Sequence, residues 1–199
     1  YNFDSLDDKH RHKDEEKEQQ KGQWLVLMAG PMGAGKTHTL RALKQRKIVP
    51  NENEITIDLD NIRTLLPEMS VLQAETPDRS CTMTQRESGL IAEIVLNVAL
   101  AQGRTVYFDG TLKDIEWFVH TVQGLKKRLP CLSVAVIHVT CDYDTIVKRC
   151  NHRRKLLGRA VPKIKLKESM CVDFDHLKPL LPFTDLALSI DNSTTVPSC

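Results

Sequence analysis

Trp24-Leu-Val-Leu-Met-Ala29-Gly30-Pro-Met-Gly-Ala-Gly35-Lys36-Thr37 is the stretch on which the fold turns. It opens with an uninterrupted apolar run, Trp24 to Ala29, that stops at glycine, as a parallel strand buried on both faces does. Gly30 to Thr37 then satisfies G-x-x-x-x-G-K-[ST] in full. Glycines let the amides of such a loop turn inward around phosphate oxygens, while the lysine reaches the β and γ phosphates and the hydroxyl ligates Mg²⁺. The expected nucleotide-binding residues are therefore Gly30, Pro31, Met32, Gly33, Ala34, Gly35, Lys36, Thr37 and the adjoining His38, with Thr37 also a metal ligand. A helix must follow the loop. Lys36 to Arg46 supplies it, turning Leu40 and Leu43 inward, and Pro50 closes the connection to a second strand at Ile55–Asp58.

Outward from this unit, strand and helix alternate. Met83 to Gln102 repeats apolar residues at helical spacing (Leu90, Ile91, Ile94, Val95, Val98) and ends at Gly103. A strand at Thr105–Asp109, a helix from Lys113 to Arg128, a strand at Ser133–Thr140, a helix from Asp142 to Leu157 and a last strand at Thr184–Ile190 complete the series. Such alternation specifies an α/β three-layer sandwich, and the glycine loop after its first strand makes it one of the P-loop NTPase type. Its sheet is mostly parallel, with about five strands, and ligands gather at the strands' carboxyl ends.

The chain has 199 residues, 41% hydrophobic and 27% charged, which excludes intrinsic disorder and leaves enough core to fold without disulfides. Its 28 basic against 26 acidic residues give +2, too near balance for a protein that coats nucleic acid or anionic lipid. The most apolar helix, Leu90 to Ala101, is interrupted by Glu93 and Asn97, so no membrane span is expected. Six cysteines without zinc or CxxC spacing point to a reducing compartment, the cytoplasm. Residues 1–21 are a charged run with little to bury and read as a lead-in, flexible or a solvated helix, before a single P-loop domain over 22–199.

Three further segments carry chemistry. Ile57-Asp58-Leu-Asp60-Asn-Ile-Arg63 brings acids to the end of the second strand, where a carboxylate can take the proton of an acceptor hydroxyl and an arginine can hold the acceptor. Asp60 and Arg63 suit those roles; capping of the short helix Asn61–Leu66 is the competing use of the acids. Val106-Tyr-Phe-Asp109-Gly-Thr111 ends a strand in an acid positioned for Mg²⁺ or substrate, with Thr111 beside it. From Lys148 to Lys163 basic side chains crowd around a glycine and a proline, the make-up of a lid whose arginines, with Arg149 and Arg153 four apart on one helix face, can stabilise a migrating phosphoryl group. Glu93, on an otherwise apolar helix face, is a candidate contact to the acceptor.

The combination GPMGAGKT, IDLDNIR, FDGT and VKRCNHRRKLLGRAVP resembles the zeta-toxin-type kinase domain, and more distantly the kinase half of phage-type polynucleotide kinases, over residues 24–192. The resemblance implies transfer of the γ-phosphate of ATP or GTP to a hydroxyl, of a UDP-N-acetyl amino sugar in the first group and of a polynucleotide 5′ end in the second. It implies Lys36 as the loop lysine, Asp60 as general base, and Arg149 and Arg159 as lid arginines, with Arg153 a rival to Arg149 because the lid is short. Arg63 falls where polynucleotide kinases bind substrate. Met32 departs from the pattern, standing where these loops often carry proline. The expectation is a Mg²⁺-dependent kinase acting on a small-molecule hydroxyl. A polynucleotide 5′-kinase and a nucleotide-binding switch without acceptor chemistry are the alternatives.

Overall fold

The computed structural model describes residues 22–50, 53–157 and 163–193; for 78, 153–157 and 163–165 the description is of the backbone alone. The elements are β1 (Trp24–Ala29), α1 (Lys36–Gln45), β2 (Glu54–Asp58), α2 (Leu59–Thr64), α3 (Met69–Glu75), α4 (Pro77–Met83), α5 (Gln85–Ala101), β3 (Thr105–Asp109), α6 (Ile115–Arg128), β4 (Ser133–Thr140), α7 (Tyr143–Leu157), α8 (Lys163–Ser169), α9 (Phe174–Leu177) and β5 (Leu186–Asp191), with a 3-10 turn at Leu181–Phe183. The five strands are all parallel, in the order β2-β3-β1-β4-β5. The P-loop NTPase-type sandwich expected from the strand–helix alternation is the fold observed.

β1 explains its own sequence. Leu25, Leu27 and Ala29 enter a core shared with α5 and α6, while Val26 and Met28 enter a second core with Leu40 of α1, Ala135, Ile137 and Val139. Both faces are covered, so the strand is apolar throughout. β3 lies on one side of β1 and β4 on the other, so the chain reverses its direction of winding here and opens a crevice at the carboxyl end of β1. The phosphate-binding loop occupies that crevice.

α5 corrects the sequence reading in one respect. Its sheet-facing residues are Ser88, Ala92, Leu96, Ala99 and Leu100, whereas Leu90, Ile94 and Val98 are 59%, 54% and 51% exposed. Small residues on the inner face allow close approach to the sheet, and a helix apolar on nearly every side gives periodicity no means of telling inner from outer. The helix also starts later than expected, at Gln85, because the chain turns at Thr84 between α4 and α5. At its other end the Gln23 side chain donates to Leu100 O in the last turn at 2.7 Å and to Arg104 O in the connection to β3 at 3.1 Å, tying the two together. The expected short helix at 61–66 runs from Leu59 to Thr64. α3 and α4 have no counterpart in the sequence reading. No helix among the described residues is long and apolar enough to cross a membrane.

Candidate phosphotransfer site

The loop between β1 and α1 has three glycines in the left-handed region, Gly30 (φ 128°), Gly33 (φ 82°) and Gly35 (φ 91°). At Gly30 the requirement is also steric: a Cβ would collide with the carbonyl of Val139 on β4. α1 begins directly at Lys36 with Gly35 as its N-cap and no side-chain cap, so its first amides are left for a ligand. Lys36 Nζ donates to Gly30 O (3.1 Å) and Pro31 O (3.2 Å), which sets the ammonium across the mouth of the loop. His38 is exposed on the first turn of α1.

Two strand ends bring carboxylates to this loop. Asp58 and Asp109 pair in register at the ends of β2 and β3, and Met28 of β1 pairs with Asp109 on its other side. Thr37 Oγ1 donates to Asp109 Oδ2 at 2.8 Å. Burial pushes the Asp109 carboxyl above the ordinary range, against the pull of Lys36 and Thr37, and the nearby charges of Asp58 and Asp60 add to the rise. Thr37 and Asp109 form an oxygen-only donor set, the kind Mg²⁺ takes from a protein when phosphates supply further ligands. These residues fit that metal. Behind Asp109 the rings of Phe108, Trp117 and Phe118 pack edge to face, with Phe118 centroids 5.4 Å from Phe108 and 4.8 Å from Trp117. Thr111 follows, half-buried, in the loop after β3.

The question of which acid caps α2 has a direct answer. Asp58 does so, accepting from the amides of Asp60 (2.8 Å) and Asn61 (3.3 Å). Asp60 is thereby relieved of capping and lies exposed on the first turn, where Arg63 Nη1 donates to its Oδ1 at 2.9 Å. Arg63 is only 7% exposed and its Nη2 donates to Gln85 Oε1. Its guanidinium therefore orients Asp60 from within the protein. Glu93 is half-buried two turns of α5 beyond Gln85, on a different part of the helix from the end that meets Arg63. Glu87, nearer that end, stands against Glu68; the hydrogen bond between the two carboxyls and their repulsion push Glu87 up.

Arg149 reaches the loop from behind. Its Nη1 donates to Ala34 O at 3.1 Å and its Nη2 to Asn192 O at 3.0 Å. Asn192, which sequence reasoning missed, donates from Nδ2 to Ala34 O at 2.8 Å. No motif marks it, because its role depends on β5 ending beside β1's loop. Arg153 is on α7, with only its backbone described, and Arg159 lies outside the described residues.

Fold and site together define a P-loop kinase-like α/β protein. The chain belongs to the zeta toxin family, whose model (Zeta toxin) matches residues 7–182. A solved structure from the PezAT chromosomal toxin-antitoxin system of Streptococcus pneumoniae is similar, with TM-score 0.66 and 21% identity over 94% of this chain and 77% of that one. So is a protein from Chloroflexus aurantiacus proposed to be a kinase, with TM-score 0.64 and 14% identity over 87% of this chain and 90% of that one. Comparison with individual curated proteins found no match.

Proposed function

We propose that this protein is a kinase that moves the γ-phosphate of ATP or GTP to a hydroxyl of a small molecule, a UDP-N-acetyl amino sugar being the acceptor the family resemblance implies. The observation that carries the reading is the division of labour between Asp58 and Asp60. One acid caps α2, and the other is held by Arg63 with its carboxylate exposed and its charge felt at Asp109, the partner of Thr37. In the reaction the acceptor hydroxyl gives its proton to the Asp60 carboxylate as its oxygen attacks the γ-phosphorus in line. The bond from that phosphorus to the β,γ-bridging oxygen breaks, and the nucleoside diphosphate leaves. Lys36 and the amides at the start of α1 hold the phosphates, and Arg63 keeps Asp60 aimed. Thr37 and Asp109 would hold Mg²⁺, which neutralises charge on the β and γ phosphates when bound. Arg159 is assigned to the transferred group, as the resemblance implies, and Arg153, the rival to Arg149, is assigned with it because the Arg149 guanidinium is engaged by Ala34 O and Asn192 O; Glu93 and Thr111 are assigned to the acceptor.

A small acceptor is favoured over a polynucleotide by local charge. Residues 59–101, the helical segment that includes Asp60, hold six acidic residues against three arginines. A polynucleotide needs a basic groove many phosphates long leading to Asp60, which this segment does not supply, whereas a UDP-sugar brings two phosphates only. The presence of an acid held in position for proton transfer favours chemistry over a nucleotide switch. The test is transfer from γ-labelled ATP to UDP-N-acetylglucosamine and, separately, to a 5′-hydroxyl oligonucleotide, each beside Asp60→Asn. Label on the sugar nucleotide that is lost in the variant is the expected result. Label on the oligonucleotide alone overturns the acceptor assignment, and equal transfer by Asp60→Asn removes Asp60 from the mechanism.

A further inference from the structure

We propose that Asn192 is a positioning residue for the donor phosphates, acting with Arg149 as a clamp behind the phosphate loop that aims the Gly35 amide at the bound triphosphate. The inference rests on the nucleotide-binding reading above and deepens it.

Asn192 is the first residue after β5 and is 8% exposed. Its own amide donates to Thr140 O at 2.9 Å, which continues the β4–β5 ladder by one more bond and fixes the residue against the sheet. From that anchored backbone, Nδ2 donates to Ala34 O at 2.8 Å. Arg149 completes the arrangement, with Nη1 donating to the same carbonyl at 3.1 Å and Nη2 to Asn192 O at 3.0 Å. The Ala34 carbonyl thus receives two donors and has both lone pairs occupied.

The consequence follows from peptide geometry. A trans peptide is planar, so the carbonyl of Ala34 and the amide of Gly35 point in opposite directions. Fixing the carbonyl toward the β5 side turns the Gly35 N–H away from it, in line with the uncapped amides that open α1. Gly35 is suited to this for two reasons. Its φ of 91° is left-handed, and a Cβ there would strike Asn192 Nδ2. The clamp therefore needs glycine at 35 and an uncharged donor at 192. An aspartate at 192 would set an acceptor against the Ala34 carbonyl and a negative charge behind the phosphates.

The experiment measures ATP and ADP affinity, thermal midpoint and steady-state constants for wild type, Asn192→Ala and Asn192→Asp. Asn192→Ala is expected to bind both nucleotides about fivefold more weakly, the effect of one neutral hydrogen bond, and Asn192→Asp more weakly still. KM for the donor rises while KM for the acceptor and kcat at saturating donor stay near wild type, a split that loss of packing alone does not give. If Asn192→Asp fails to fold, Asn192→Ala decides. Wild-type nucleotide affinity in folded Asn192→Ala overturns the clamp while leaving the nucleotide reading intact. Failure of the wild type to bind ATP or GTP overturns both.

Discussion

Thr37 Oγ1 donates a 2.8 Å hydrogen bond to Asp109 Oδ2, and through it the first turn of α1 is tied to the end of β3. Residues 72 positions apart in sequence so become one oxygen-rich pair at the mouth of the phosphate loop. The same burial that shields Asp109 makes its ionised form costly, because its partners are a hydroxyl and one lysine while Asp58 and Asp60 add repulsion.

Asp109→Asn is expected to raise the Mg²⁺ concentration needed for half-maximal turnover about ten- to hundredfold. The same change should stabilise the ligand-free protein at neutral pH. A carboxyl whose folded pKa is raised contributes stability below its unfolded value, about 3.9, and loses it as pH rises through the folded value. The variant's advantage in thermal midpoint should therefore be present at pH 7 and disappear toward pH 3. A constant difference across that window would show that Asp109 is not the titrating group.

Asp60→Asn keeps the shape of the side chain and removes its basicity. Phosphoryl transfer is expected to fall by about 10² to 10⁴ while ATP affinity stays unchanged. Single-turnover transfer and equilibrium titration separate the two readouts.

Arg63→Met removes the guanidinium that orients Asp60 but keeps much of its volume in the interior. kcat should fall about tenfold or more with donor KM unaltered, since a misaimed base loses transition-state geometry and not nucleotide binding. A rise in donor KM alone would place Arg63 with the donor.

Lys36→Ala takes away the ammonium at the loop's mouth. ATP affinity is expected to drop about ten- to hundredfold, the scale of charged hydrogen bonds to phosphate, with the thermal midpoint of the ligand-free protein little changed. Isothermal titration with ATP checks it, and an unchanged affinity would refute the phosphate-loop role.

Phe118→Ala opens a cavity in the aromatic trio behind Asp109 and should cost about 3 to 5 kcal/mol in denaturant unfolding. The midpoint should move without a change in slope. A cost below about 1 kcal/mol would mean that neighbouring side chains collapse into the space.

What the sequence determined by itself is what contiguous residues can express. The buried strand Trp24–Ala29, the glycine loop and the first turn of α1 are successive in the chain, so their apolar run, backbone freedom and charged tip could be read in one pass. Strand and helix alternation carried the parallel sheet in the same way. Tertiary structure decided whatever depends on which side of an element meets another. α5 is apolar on most of its circumference, so only its seat on the sheet shows that Ala92 and Leu96 face in while Leu90 and Ile94 face out. Asp58 and Asp60 are two acids two positions apart, and only the dihedral turn into α2 makes the first a cap and leaves the second exposed and held by Arg63. Arg149 stands in a basic run that reads as a lid, yet helix geometry sends its guanidinium behind Ala34, where it meets Asn192 from the far edge of the sheet. Hydrogen bonds between residues a hundred or more positions apart leave no periodic trace in a chain. The sequence specifies such contacts only through the fold that brings their partners together.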